Sequence, residues 1–442
     1  MKVMKFGGTS VGSPARMKEV ARLVTQSGEP VFVVLSAMSG TTNELVEMSN
    51  RLYKKNTEGA HEIIDNLEQK YLVHINELYS TEEYRQAMRL FLNERMNYLR
   101  SFTDDLFTSF EEKNIVAQGE ILSTTMITNF LCEQGIKAAL IPALDFMRTD
   151  KNADPDQFYI KEKLATIMTR QHDKQVYITQ GFICLNAYGE VDNLQRGGSD
   201  YTASLVGAAL SADEIQIWTD IDGMHNNDPR VVENTTPVRQ LHFEEASELA
   251  FFGAKILHPT CVQPASVAGI PIRLKNTMQP NAPGTIINNH LEHGKVKAVA
   301  AKDNIIAIRV ESSRRLGSAS FLRKVFEVFE SYQTPVDMVA TSEVGVSMTI
   351  ENTNRLNDIL DELGSYGSVS VERNMCIVCV VGDLNRNTLG NIALITNAIQ
   401  RIPVRMISYG GSDYAISFLI SQDDKAEALR SLSKVLFQNK ES

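Results

Sequence analysis

The feature that most constrains the fold is a repeated local order: a short apolar run, a turn of glycine and hydroxyl residues, then a helical pattern. Val3-Met4-Lys5-Phe6 closes on Gly7-Gly8-Thr9-Ser10, and Pro14 then opens a helix with Met17, Val20, Leu23 and Val24 on one face. Residues 30–35 form a second buried strand, ending in Ser36-Ala37-Met38-Ser39-Gly40-Thr41-Thr42-Asn43 before another helix. Residues 176–183 read as a third strand upstream of Arg196-Gly197-Gly198-Ser199-Asp200, a loop running straight into a helix. Further strands are expected at 138–141 and 215–219. Continuous apolar strands alternating with helices specify an α/β protein with an open, mostly parallel sheet and helices on both faces. In such sheets the turns at the carboxyl ends of the strands bind ligands.

Paired glycines let the backbone approach an anion, and a helix N-terminus behind them offers N–H groups and a positive dipole end. Arg196 adds a planar fork for a carboxylate or phosphate, and Asp200 sits where a cation or a lysine could be held. Taken alone, Gly-Gly-Ser-Asp is also a common flexible turn. No GxxxxGK[ST], GxGxxG or HExxH motif occurs, which disfavours P-loop NTPases, ordinary dinucleotide enzymes and zincins. Asp220-x-Asp222-Gly223 lacks the remaining positions of an EF-hand, so a nucleotide-facing turn is expected there rather than calcium.

The net charge of −10 disfavours nucleic acid or anionic membrane as the main partner. The five cysteines are scattered, and their odd count argues against a complete disulfide framework. Cys376 and Cys379 form a CxxC inside a β-like run, where the two thiols face opposite sides, so no metal is assigned. No signal peptide or membrane span is expected, and the setting is read as cytoplasmic.

From about 44 to 112 the pattern is helical and charged, an insertion in a first domain spanning 1–290. Proline, glycine and asparagine cluster at 276–284 as a boundary, with a last strand at 285–287. Beyond it, strands at 305–310, 336–341, 345–350 and 367–372, with helices near 317–331 and 353–363, give a β-α-β-β-α-β unit. A second set (strands 375–381, 403–409 and 413–420, helices near 386–400 and 423–436) lacks its final strand, which 295–300 could supply. The first small domain, 303–373, is therefore read as inserted into the second, 294–302 plus 374–442. The pair resembles ACT domains, which bind small amino acids.

Lys5-Phe6-Gly7-Gly8-Thr9-Ser10, Ser36 to Asn43, Gln118-Gly119-Glu120, Arg196 to Thr202, Trp218-Thr219-Asp220, Asp228-Pro229-Arg230 and the run from Phe252 to Pro259 together resemble the aspartate kinases of the amino acid kinase family. The resemblance covers nearly the whole chain and is weakest across 44–112. It implies transfer of the γ-phosphoryl group of ATP, with Mg2+, to the side-chain carboxylate of L-aspartate. It also implies a homo-oligomer joined through ACT domains. By that resemblance Lys5 and the amides of Phe6, Gly7 and Gly8 contact phosphates, Lys255 approaches from the nucleotide side, and Asp200 orients the lysines or the magnesium shell. Arg196 clamps the α-carboxylate with Gly197, Gly198 and Ser199; Glu120 takes the ammonium group; Ser36 and Thr42 supply neutral donors, and Phe182 completes the substrate set. Thr219, Asp220, His225, Arg230, Lys255 and Ile256 serve adenine and ribose, with His225 where relatives often carry tyrosine. Glu120 has a second reading as a helix-start acid; His258, Pro259 and Trp218 read as packing residues.

The chemistry suits those residue types. A carboxylate nucleophile is already ionised at neutral pH, so the work is to bring two anions together and hold the charge of the moving group. A lysine effector is expected from Ser318, Phe321 and Leu322, beside a glycine loop opening a helix, and from Val336, Asp337, Thr341, Ser342 and Glu343. Loop amides suit its carboxylate, and Asp337 suits its ammonium. These stretches resemble the module of lysine-sensitive aspartate kinases, with Pro335 as a departure; Asp337 could instead cap a strand edge. Other readings are a kinase for another acidic amino acid and an inactive amino acid sensor. A dehydrogenase fusion is not expected, since no further domain follows Ser442.

Overall fold

The computed structural model describes residues 1–103, 107–194, 197–254, 257–312, 318–351, 354–385, 387 and 389–438. The chain divides into two compact units, Met1–Met224 with Ile256–Asn289, and His225–Lys255 with His290–Ser442.

The first unit runs β1 (Lys2–Phe6), α1 (Pro14–Thr25), β2 (Val31–Leu35), α2 (Thr41–Tyr53), α3 (Thr57–Leu78), α4 (Glu82–Ser101), α5 (Ser109–Glu133), β3 (Ala138–Leu140), α6 (Gln157–Arg170), β4 (Val176–Gln180), β5 (Ile183–Leu185), β6 (Val191–Asn193), α7 (Gly198–Leu210) and β7 (Glu214–Thr219). After β8 (Gln240–His242) and α8 (Phe243–Phe251), which belong to the second unit, it resumes with α9 (Pro259–Ala268), β9 (Ile272–Asn276) and β10 (Thr285–Asn288). Its sheet runs β3-β4-β2-β1-β7-β9-β10. All pairs are parallel except β9 with β10. Every residue of β2 and β4 is buried, as strands covered on both faces require. The insertion is helical: α3 buries Ile64, Leu67, Tyr71 and Ile75, and α4 buries Met88, Leu92, Met96 and Leu99 in one core with β1 and α1.

Two local readings are corrected. Glu120 is not a helix-start acid: Gln118-Gly119-Glu120 lies inside α5, which a Thr108/Glu111 capping box starts at Ser109, eleven residues before Glu120. Glycine is there for close approach, because a Cβ on Gly119 would come 2.9 Å from the Cβ of Ala37. Nor is 176–183 one strand. It breaks at Gly181-Phe182, where Phe182 has φ of 72°, and β5 starts a separate hairpin with β6.

The second unit continues with β11 (Val296–Glu311), α10 (Ser318–Ser331), β12 (Val339–Thr341), β13 (Gly345–Ile350), α11 (Leu356–Gly364), β14 (Ser368–Gly382), α12 (Asn391–Ala398), β15 (Val404–Tyr409), β16 (Ala415–Ser421) and α13 (Lys425–Ser433). Its antiparallel sheet runs β12-β13-β11-β14-β16-β15. The runs at 295–300 and 305–310 are one strand, β11, and those at 367–372 and 375–381 are one strand, β14. Their ladder is irregular between Lys302 and Ile305, where Asn304 has φ of 60°. On one side of that break β13 pairs with β11 and β12 with β13, and on the other β16 pairs with β14 and β15 with β16, which gives the strand order of two ferredoxin-like units. Each has its own core, one around Phe321, Val325 and Ile359, the other around Val378, Ile395 and Leu429. Strand 336–341 is shorter than expected, with β12 starting at Val339. Cys376 and Cys379 are both buried, and burial pushes both thiols well above the ordinary range.

Candidate active site

Register brings the strand ends level. Phe6 stands opposite Leu35 and Trp218, Leu35 opposite Gln180, and Thr219 opposite Asn276. The turns after β1, β2, β4 and β7 therefore meet along one carboxyl edge, with β1 between strands that come next and much later in the chain. The first two turns interlock: Ser36 N–H donates to Phe6 O at 3.2 Å, and Ser39 N–H donates to Gly8 O at 3.1 Å. A Cβ on Gly8 would meet Ala37 O at 2.8 Å, so the close approach of these loops requires glycine.

Lys5 and Asp200 pair at 2.6 Å between Nζ and Oδ1, with both side chains only 12% and 13% exposed. Asp200 lies in the first turn of α7, where the helix N-terminus favours an acid. Gly197, with φ of 75°, caps that helix; a Cβ on it would lie 2.3 Å from His258 Cβ. A Cβ on Gly198 would strike the Phe182 ring at 2.6 Å, and one on Gly181 would strike Ser199 at 2.5 Å. The Phe182 N–H donates to Thr202 Oγ1 at 3.1 Å, which helps hold its left-handed backbone. Ser36 Oγ donates to Ser199 Oγ at 3.0 Å, joining the second turn to this corner.

Glu120 is 3% exposed. Its Oε1 accepts a hydrogen bond from Ala37 N–H at 3.3 Å, while Oε2 has no partner among the described residues. Burial pushes the carboxyl from 4.5 up to about 8, against the weaker pull of the Ala37 amide. Around it the hydroxyls are committed: Ser123 Oγ donates to Ser36 O at 2.8 Å and Thr124 Oγ1 to Glu120 O at 2.7 Å. Thr42, half-buried, is in the first turn of α2. The helix-start reading of Glu120 is thereby set aside, since the residue is internal to α5.

Sequence reasoning missed what the insertion supplies. Tyr71, fully buried in α3, hydrogen-bonds Thr41 Oγ1 at 3.2 Å, and Lys70 reaches Ser39 O at 3.4 Å and Glu44 at 3.3 Å. Nothing in a helical pattern marks these two positions, because the contact is made across chain-distant turns.

Arg196, Lys255 and Ile256 lie outside the described residues. Thr219 ends β7 and accepts the Thr277 N–H at 2.8 Å on its carbonyl; Asp220 follows it. Asp222 braces the turn by accepting the Gly284 N–H at 3.2 Å. Trp218 is buried and stacks on Phe6 at 5.6 Å, a packing role; Pro259 opens α9 with His258 as its N-cap. Within the second unit, His225 Nδ1 meets Thr235 Oγ1 at 2.9 Å, and Arg230 holds Asp228 through two bonds of 2.9 and 2.7 Å.

Of the expected effector residues, Phe321 is buried in a core, and Leu322 and Val336 pack against it. Ser318 begins α10, Thr341 ends β12, Ser342 N–H donates to Gly345 O at 2.8 Å, and Glu343 is exposed. Asp337 is not at a strand edge in water. Its side chain is 5% exposed and pairs with Lys302 at 2.8 Å, which also lies 3.2 Å from Glu351. Burial raises the Asp337 carboxyl, partly offset by Lys302. The same burial works against the Lys302 ammonium, but the two acids together hold it above the ordinary lysine range.

Among the described residues no group of three or more His, Cys, Asp or Glu could hold a metal ion, and no helix is long and apolar enough to cross a membrane.

Residues 1–276 match the amino acid kinase family, and 378–436 match an ACT domain. The chain is 34% identical to aspartokinase 1, chloroplastic, of Arabidopsis thaliana, over 99% of its own length and 80% of that protein. It is 31% identical to Escherichia coli aspartokinase III solved in complex with aspartate and ADP, with a TM-score of 0.88 over 99% of this chain and 100% of that one. Against the same enzyme solved with lysine and aspartate, the TM-score is 0.81 over 99% of each chain.

Proposed function

Because this chain belongs to the amino acid kinase family, and within it to the aspartokinases, we propose that it transfers the γ-phosphoryl group of ATP to the β-carboxylate of L-aspartate, giving 4-phospho-L-aspartate. The observation that carries this reading is Glu120: a buried carboxyl with one unpaired oxygen, beside a turn of amides and hydroxyls. Such a group lacks a cation, and the ammonium of a free amino acid supplies one. Arg196 is assigned to the α-carboxylate, for which a guanidinium fork is suited, together with Gly197, Gly198 and Ser199. Ser36 and Thr42 add neutral donors, and Phe182 walls the pocket.

The acceptor carboxylate needs no base. Catalysis rests on Lys5, joined by Lys255, which offsets the charge of the phosphoryl group in flight, while the glycine turn admits the phosphates. Asp200 fixes Lys5 at 2.6 Å and so keeps its ammonium aimed at the edge. Magnesium would accompany the ATP phosphates and offset their charge, with Asp200 assigned to orient the lysines or the magnesium shell. Thr219, Asp220, His225, Arg230 and Ile256 are assigned to the nucleoside.

The regulatory reading is inhibition by L-lysine, with the ligand ammonium on Asp337 and its carboxylate at the start of α10 near Ser318. The domains are assigned as 1–290, then 303–373 inserted in 294–302 plus 374–442, with oligomers joined through the ACT domains. Five free cysteines fit a reducing cytoplasm.

The test is to trap acyl phosphate as hydroxamate with ATP, magnesium and a panel of amino acids. Product with aspartate is expected; product only with another acid, such as glutamate, would overturn the substrate.

A further inference from the structure

The acid assigned to the effector already holds a lysine, and it is the chain's own. Resting on the lysine-effector reading above, we infer that Lys302 is a tethered competitor for that site: the effector's ammonium takes Asp337 by displacing the Lys302 ammonium.

Three observations carry this. First, Asp337 is held rigidly, its N–H donating to Thr349 O at 2.8 Å and the next amide, of Met338, donating to Thr349 Oγ1 at 2.9 Å. Its buried carboxyl spends Oδ1 on Lys302 and leaves Oδ2 without a partner among the described residues. A buried acid can exchange one ammonium for another at little cost, whereas losing its cation altogether is expensive.

Second, Lys302 stands where movement has somewhere to go. It is the last residue of β11 before the ladder breaks between Lys302 and Ile305, ahead of Asn304 with its positive φ. Glu351, 3.2 Å from the same nitrogen, is half-exposed and offers the displaced ammonium an alternative partner nearer water.

Third, Lys302 touches the approach to a nucleotide motif. Its Nζ lies 4.9 Å from the centroid of the Phe251 ring at the end of α8. One residue back, the Ala301 carbonyl lies so close to Gly253 that a Cβ there would come within 2.4 Å of it, and Gly253 has φ of 106°. Phe251 precedes, and Gly253 belongs to, the sequence run from Phe252 to Pro259 that carries Lys255. Release of Lys302 from Asp337 thus changes the contacts at Phe251 and Gly253, giving ligand binding a route to differ between two states.

The test is lysine binding by calorimetry, together with lysine inhibition, in the full-length protein. Lys302→Met removes the ammonium and keeps the stem, and should tighten lysine binding by about tenfold. Lys302→Arg gives Asp337 a fork it holds more firmly, and should weaken lysine binding by several-fold. Equal lysine affinity in wild type and either folded variant, or weaker binding in the methionine variant, overturns the competition while leaving the effector reading intact. Should the methionine variant fail to fold, the arginine variant decides alone. A wild type that neither binds lysine nor is inhibited by it overturns the effector reading itself.

Discussion

Two buried acids, one in each unit, are treated in opposite ways. Glu120, on α5 at the carboxyl edge of the parallel sheet, has no cation beside it among the described residues, and burial raises it to about 8. Asp337, next to β12 in the antiparallel sheet, is also raised by burial, yet the chain supplies it with Lys302. A lone buried carboxyl costs stability and is retained where a ligand completes it; a paired one is quiet until something competes for it. On the proposed reading, the difference separates a site that receives an ammonium every turnover from one in which an ammonium is exchanged.

The largest expected effect probes the cation we assign to catalysis rather than either acid. Lys5→Ala should lower kcat by about a hundredfold or more while nucleotide binding persists, because its charge matters most when the phosphoryl group is in transit. Ordinary turnover in that variant would remove Lys5, and its 2.6 Å pair with Asp200, from the mechanism.

Next, Arg196→Ala should raise KM for aspartate by about tenfold to a hundredfold with little change for ATP, since the α-carboxylate loses a bidentate partner. Equal changes for both substrates would mean that the ammonium and carboxylate of aspartate are not held at this corner, and the contrast between Glu120 and Asp337 would lose its substrate side.

The smallest effect concerns stability. Glu120 binds its proton more tightly folded, at about 8, than at its ordinary 4.5. Between those values the unfolded chain carries fewer protons than the folded one, so this group's contribution is fully present below 4.5 and is lost as pH rises through about 8. Glu120→Gln should abolish that slope: its Tm advantage over wild type should grow between pH 5 and pH 8, as read by thermal melts without ligand. A difference independent of pH would show that Glu120 is not held protonated.

The frame of both sites was legible from local pattern. Gly7-Gly8, the hydroxyl turn at 36–43 and Gly197-Gly198 stood out as glycine turns, and at Gly8, Gly197 and Gly198 the close approach excludes a Cβ. Gly119 misled for the same reason reversed: glycine commonly ends a helix, but here it lets α5 continue past Ala37. The break at Phe182 was hidden because a bulky residue at positive φ is held by Thr202, which lies twenty residues on. Lys302 and Tyr71 were invisible in their roles, since their partners Asp337 and Thr41 are 35 and 30 residues away. Pairing at that range is set by topology, and no periodicity encodes it.

The most direct test of the contrast is proton release on aspartate binding. At pH 7 free Glu120, with its carboxyl near 8, is mostly protonated, and it has to ionise to hold an ammonium. Calorimetry of aspartate binding in buffers of different ionisation enthalpy should therefore find net proton release on binding, with affinity rising toward pH 8. Glu120→Gln should release none. Wild type that binds aspartate with no proton exchange and no pH dependence would contradict the assignment of Glu120 as the acid that receives the substrate's ammonium.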